Sequence, residues 1–507
     1  MRYTWSCFTL RIMIFALASI IGYTFHPAAS RAASKPNILF VLVDDLDYPT
    51  ATNATVMPRV RQRLAVEGTS LTRAYTQYAL CSPSRATMLT GRYAQNTGVR
   101  RNATPFGGFE TYHANGMHNV SVNAWLRPAG YRTALIGKFI NNYPKTAASN
   151  YVPPHWDYWA VTPGPMPYNY RINENGVFRS YGSSPADYDT DVFSQKAQQF
   201  INGSADAGKP FLLYLWLPAV HSPVVAAPRH ANLFPNTIIP RVPSFNEPDI
   251  GDKPPFLRLA SMSASTIAAL DENYRARLRS LRAVDEALEA IYGLLSRRGL
   301  LANTYIVLAG DNGFHMGEHR LRQTKGFAYE DSVRIPLLVR GPGVPAGRQI
   351  TRLVGNADLA PTFAAWAGVT PPASVDGRSF ASLLTAADPA TVPWRRALPL
   401  SKLPETKAPA TSWANILNPA LTTGYSCIAT SGTSIPEMRG VRTNTFTFAH
   451  YTTGDMEMYD GIKDPYQLNN RICIAAAANR DALRTRAAEL STCQGATCRQ
   501  IEDRAVP

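Results

Sequence analysis

Cys81 opens the run Cys81-Ser82-Pro83-Ser84-Arg85-Ala86-Thr87-Met88-Leu89-Thr90-Gly91-Arg92, which reads as a thiol on a turn followed at once by a helix. Ser82 is the predicted N-cap, Pro83 suits the first helical position, and Gly91 is the predicted stop. A helix start gathers unpaired N–H groups and the positive end of the dipole, so it favours an anion. Arg85, one turn in, would add a fixed charge with forked donors at that end. A cysteine in that setting would be activated and would face an anionic substrate. An ordinary structural cysteine before a short helix is the competing reading, and the local pattern does not separate the two.

Four other polar clusters follow apolar or β-rich runs. Asn37 to Val43 ends in Asp44-Asp45, Tyr131 to Gly137 ends in Lys138, Phe211 to Leu217 leads to His221, and Thr304 to Gly310 ends in Asp311-Asn312. Continuous apolar runs of this length suit buried parallel strands. Adjacent carboxylates repel unless a cation lies between them, although a pair of acids in a solvated turn is common. Asp44, Asp45, Asp311 and Asn312 offer hard oxygen ligands, which suit Ca²⁺ or Mg²⁺ better than zinc. His315, His319 and Lys325 follow closely. Ligands bind at the carboxyl ends of strands in an open α/β sheet. Four such ends carrying metal and anion ligands fit one shared site, and hence a metal-assisted enzyme acting on an anionic ester.

The elements that must position these residues are also legible. The expected fold is α/β, a large mixed and mostly parallel sheet sandwiched by helices. A smaller C-terminal antiparallel α+β domain follows. A long amphipathic helix is predicted from about Ser263 to Arg298, with Leu278, Leu281, Val284, Leu288, Ile291 and Leu295 on one face. It reads as scaffold without chemistry. Val441 to Asp460 reads as a strand, a turn and a second strand. The expected domains are a signal peptide at 1–34, a catalytic domain at 35–385 and an antiparallel subdomain at 386–507.

Arg2 and Arg11, then the apolar stretch Ile12 to Phe25, then small residues form a secretory-signal pattern, with an uncleaved anchor as the alternative. No later stretch is long and apolar enough to span a membrane. Export implies a secreted, periplasmic or lysosomal address. The net charge of +15 suits polyanions such as sulfated glycans and equally fits a basic source proteome. The positive charges are scattered, which argues against nucleic acid. Of the six cysteines, Cys427, Cys473, Cys493 and Cys498 remain after Cys7 and Cys81 are set aside. An even number in an exported chain predicts two disulfides, read as Cys493–Cys498 and Cys427–Cys473 from three connectivities.

Cys81-Ser82-Pro83-Ser84-Arg85 with Leu89-Thr90-Gly91-Arg92 resembles the signature of the type I sulfatases, in which the cysteine is oxidised to formylglycine. The resemblance covers nearly all of the mature chain. It implies an alkaline phosphatase/sulfatase-like fold, and Cys81 as formylglycine precursor, nucleophile and metal ligand. It implies one Ca²⁺ or Mg²⁺ ion on Asp44, Asp45, Asp311 and Asn312. Arg85, Lys138 and Lys325 would bind the sulfate, and His221 would protonate the leaving group, with His315 as an extra contact. A formylglycine-generating enzyme is the implied maturation partner. Many relatives continue Lys-x-His, but here Lys138 is followed by Phe139-Ile140-Asn141. That departure, with Trp156-Asp157-Tyr158-Trp159 and Tyr168-Asn169-Tyr170, resembles the N-acetylglucosamine-6-sulfatase-like branch. Sugar stacking and plain packing are the two readings of those aromatics. The implied substrate is a sulfated amino sugar or an aryl sulfate. A phosphodiesterase or phosphonate monoester hydrolase of the same superfamily is the first rival. A non-catalytic binder of sulfated glycans is the second.

Overall fold

Asn37 to Val43 has no polar alternation, so a strand built from it needs apolar cover on both faces. The computed structural model describes Met1 and residues 35–164, 166–403 and 435–506, and it buries this strand at the centre of a ten-stranded sheet. In chain order the strands are β1 Asn37–Val43, β2 Thr69–Leu71, β3 Arg132–Lys138, β4 Tyr158–Thr162 and β5 Tyr170–Glu174. Then come β6 Val177–Tyr181, β7 Phe211–Leu217, β8 Thr304–Gly310, β9 Leu337–Arg340 and β10 Arg348–Ile350. The spatial order is β10-β2-β9-β8-β1-β7-β3-β4-β5-β6. The central run from β8 to β4 is parallel, and antiparallel pairs flank it on both sides. This is the mixed, mostly parallel sheet that the apolar runs predict.

Alternate residues of β1 enter different cores. Ile38, Phe40 and Leu42 pack with Trp159, Tyr214, Trp216 and Phe363. Leu39, Val41 and Val43 pack with Phe193, Phe200 and the helix Ala264–Arg297. Ser263 caps that helix by accepting the N–H of Thr266, and its predicted apolar face is buried.

A four-stranded antiparallel sheet follows, formed by Ala397–Lys402, Met438–Thr443, Phe446–Tyr451 and Met456–Asp460. The expected strand–turn–strand over 441–460 is therefore three strands. The missed turn at Asn444-Thr445 has no glycine to mark it, because Thr443 Oγ1 closes it by accepting the N–H groups of Thr445 and Phe446. The Cys493–Cys498 disulfide is present, and Cys473 is also disulfide-bonded. Cys427, Cys7 and the signal-like stretch lie outside the described residues. Among those described, no helix is long and apolar enough to cross a membrane.

A buried ion cluster ties the C-terminal helix Ala496–Asp503 to the rest. Arg395 meets Asp358 at 2.6 Å and Glu502 at 3.0 Å, all three side chains fully buried. Tyr93, just beyond the signature helix, also bonds Glu502. Arg395→Met would strip two buried carboxylates of their shared cation. A loss of about 3–5 kcal/mol is expected in urea unfolding. An unchanged midpoint would show that the cluster does not hold the fold.

Candidate active site

The register of the parallel strands brings the polar clusters level. Val43 stands opposite both Leu217 and Gly310, so Asp44 leaves the sheet beside Pro218 and Asp311. Gly137 stands opposite Trp216, which puts Lys138 one step on. A Cβ on Gly137 would lie 1.9 Å from the Trp216 carbonyl oxygen, and its φ is +112°. Only glycine lets β3 approach β7 this closely.

The helix Cys81–Thr90 is buried along its whole length and ends at Gly91, with φ +67°. Its start differs from the sequence reading. Leu80 is the N-cap, so Cys81 is itself the first helical residue and Pro83 the third. Ser82 lies in the first turn. Its N–H donates to Asn102 Oδ1 (2.9 Å), and its hydroxyl donates to Asn141 Oδ1 (3.0 Å). Asn141, near the place of the missing Lys-x-His histidine, thus braces the residue beside Cys81.

Around the thiol the charges are paired. Cys81 Sγ donates to Asp44 Oδ1 (3.4 Å) and accepts from Lys325 Nζ (3.0 Å). Lys138 pairs with Asp44 and Lys325 with Asp45. Arg85 reaches Asp311 at 2.9 Å and Asp44 at 3.3 Å, donates to the Lys138 carbonyl (2.7 Å), and lies over the Trp216 ring. Burial opposes ionisation of Asp44, yet Lys138, Arg85, His221 and Lys325 hold its carboxyl well below the usual range. Asp311 is shifted upward by burial and by Asp44. Burial and Asp44 push the Cys81 thiol up to about 12 against the pull of Lys138 and Lys325. The expectation of an activated thiol fails for this reason: the helix dipole is outweighed by desolvation and a carboxylate in contact.

Asp44, Asp45 and Asp311 present carboxylate oxygens within 4.8 Å of one another. Asn312 Nδ2 donates to Asp45 Oδ1 (2.7 Å) and the Gly313 carbonyl (2.9 Å), while its buried Oδ1 has no hydrogen-bond partner. An orphaned buried amide oxygen beside three carboxylates fits a hard divalent cation.

His221 also reaches the cluster, with a ring nitrogen within 4.8 Å of Asp44 and Cys81 atoms. Its Nδ1 bonds the Ser222 carbonyl (2.7 Å). His315 is fully buried against Phe327 and Tyr329, with both ring nitrogens lacking protein partners. Burial and His319 push its pKa well below the usual imidazole value. Of the aromatic segment, Trp159 and Tyr170 are buried packing residues, whereas Asn169 is exposed.

A family model described as Sulfatase matches residues 36–369. The chain is 36% identical over 356 residues to the putative extracellular sulfatase Sulf-1 homolog of Caenorhabditis elegans, covering 69% of this chain and 49% of that protein. It therefore spans about half the length of that relative. It is 31% identical over 507 residues to the N-acetylglucosamine-6-sulfatase of Capra hircus, covering 93% of this chain and 86% of the relative. The solved structure of BT4656 in complex with its substrate D-glucosamine-2-N,6-O-disulfate superposes with a TM-score of 0.72 and 25% identity. That match covers 93% of this chain and all of the other.

The raised thiol pKa carries a prediction for protein whose Cys81 is unmodified. At pH 8, iodoacetamide should label Cys81 on the order of a thousandfold more slowly than free cysteine, with the rate still climbing above pH 9. Peptide mass mapping over time measures this, and fast labelling would reveal a thiolate.

Proposed function

The chain belongs to the sulfatase family, and on that premise we propose that it is a sulfuric ester hydrolase acting on sulfate monoesters. The observation that carries the reading is the pocket at Cys81, where three carboxylates face Arg85, Lys138 and Lys325 with Asn312 Oδ1 left unpaired. A divalent cation added to that balanced set leaves the pocket net positive, as an anionic ester requires.

Formylglycine made from Cys81 would supply a hydrated aldehyde as nucleophile, and a Ca²⁺ or Mg²⁺ ion on Asp44, Asp45, Asp311 and Asn312, beside residue 81, would supply Lewis-acid charge. Arg85, Lys138 and Lys325 spread the charge that builds on the sulfate oxygens. Burial keeps these groups dry, so each counts for more than it would in water. His221 Nε2 hands a proton to the departing alcohol, with Nδ1 steadied by the Ser222 carbonyl. Asn141 takes no proton and holds Ser82.

The substrate class is a sulfated amino sugar such as N-acetylglucosamine 6-sulfate. The named activity of the goat relative and the sugar bound by BT4656 support it. Maturation by a formylglycine-generating enzyme reading Cys81-x-Pro83-x-Arg85 belongs to the same reading, as does export, which the extracellular relative supports. Residues 35–385 form the catalytic domain in this reading, and 386–507 its C-terminal subdomain.

Protein made in a host with the modifying enzyme should show an aldehyde in the tryptic peptide Ala74–Arg85. It should release sulfate from N-acetylglucosamine 6-sulfate and from an aryl sulfate, and prefer both to the matching phosphate diester. A strong phosphate preference would instead place it with the phosphonate and diester hydrolases. Glycan binding without sulfate release would make it a binding protein. Chelation should abolish release and Ca²⁺ or Mg²⁺ should restore it; activity that survives exhaustive chelation would remove the cation from the mechanism.

A further inference from the structure

One buried side chain outside the Cys81 pocket touches three of the loops that build it. Arg277 comes from the middle of the helix Ala264–Arg297 and is 4% exposed. Its Nη2 donates to the carbonyl of Asp45 (2.7 Å), in the loop after β1. Its Nη1 donates to the carbonyl of Val220 (2.9 Å), in the loop after β7 that carries His221. Its guanidinium lies 4.6 Å from the centre of the Phe314 ring, in the loop after β8 that carries Asp311 and Asn312.

The two carbonyls it holds belong to residues in an unfavourable conformation. Asp45 has φ +59° and Val220 has φ +66°. The left-handed region is uncommon for any side chain and strained for a β-branched one. Such strain persists only where the surroundings over-determine it. A planar fork of donors can fix two carbonyls at a set separation, whereas an ammonium is a single point. The helix that supplies the fork is anchored by Leu278, Leu281, Val284 and Leu288 in the core beneath the sheet.

We propose that Arg277 is a positioning residue that locks the Asp45 and His221 loops in one relative geometry, and so sets both the cation ligands and the proton donor. This rests on the sulfatase reading above. Arg277 does not touch Cys81 in this account; it acts through His221 and Asp45. Displacing His221 removes proton donation, which a sugar alkoxide needs and a para-nitrophenolate does not.

The experiment compares formylglycine-loaded wild type with Arg277→Met and Arg277→Lys on N-acetylglucosamine 6-sulfate and para-nitrophenyl sulfate. Thermal melting is the fold control, and Ca²⁺ affinity is read by calorimetry. Arg277→Met keeps the stem against Phe314 and loses the fork. Its kcat on the sugar sulfate should fall about 100-fold and on the aryl sulfate at most about tenfold, with KM within a few-fold. Ca²⁺ should bind about tenfold more weakly. Arg277→Lys retains the buried charge without the fork and should show the same split; it is read alone if Arg277→Met does not fold. Equal losses on both esters, or no loss, with unchanged Ca²⁺ affinity would overturn the proposal. Wild type that released sulfate from neither ester would sink the sulfatase reading instead, and the Ca²⁺ comparison would still decide Arg277.

Discussion

Three carboxylates buried within reach of one another are the constraint on which this structure depends. Asp44, Asp45 and Asp311 stand at the ends of two adjacent parallel strands, with no water-facing side to relieve their repulsion. Like charges in a low-dielectric setting must be neutralised or paired. The neighbours of the site follow from that need. Arg85 spans Asp44 and Asp311, Lys138 takes Asp44, and Lys325 takes Asp45. The same three basic groups are those that an incoming anionic ester headgroup would require. A pocket that balances its own charges with movable ammonium groups can hand those groups to a substrate when a cation takes the carboxylates.

The strands place these groups, but the loops aim them. Strand register brings Asp44, Lys138 and Asp311 level to within a residue. It does not determine which way each chain turns on leaving the sheet. Asp45 and Val220 turn through the left-handed region. These departures from easy backbone geometry cluster at one end of the sheet. They are held from outside the pocket by hydrogen bonds to main-chain carbonyls, the least sequence-specific acceptors available.

Legibility in the sequence divides along the same line. Of the central strands, β1, β7 and β8 were marked by apolar runs and β3 by a β-rich one, each with a polar residue at or just past its end, so sheet and cluster could be read together there. The resemblance at Cys81 to Arg92 added the chemistry. The start of that helix was misread because Ser82 and Pro83 are good capping residues, while the structure uses Ser82 to brace Asn102 and Asn141. Thiol activation was misread because a dipole is visible in sequence and desolvation is not. Asp44 lies 37 residues from Cys81, and nothing local announces that it will sit against the sulfur.

Arg277 shows what a finer reading could have found. Leu270, Leu281, Val284 and Leu288 define the buried stripe of the long helix, and Arg277 falls on that stripe at helical spacing. An arginine on an apolar face is either an end that reaches water or a charge with buried partners. At 4% exposure it is the second. Its hydrogen-bond partners are the carbonyls of Asp45 and Val220, with the Asp47 carboxylate further off at 3.9 Å, and main-chain carbonyls leave no mark in the sequence. Asp285, two turns on, is the mirror case: a fully buried carboxylate that accepts the N–H groups of Arg59 and Val60 at 2.8 Å each. The helix read as scaffold is therefore apolar packing interrupted by charged side chains that grip main chain, and those interruptions are where it touches the loops it supports.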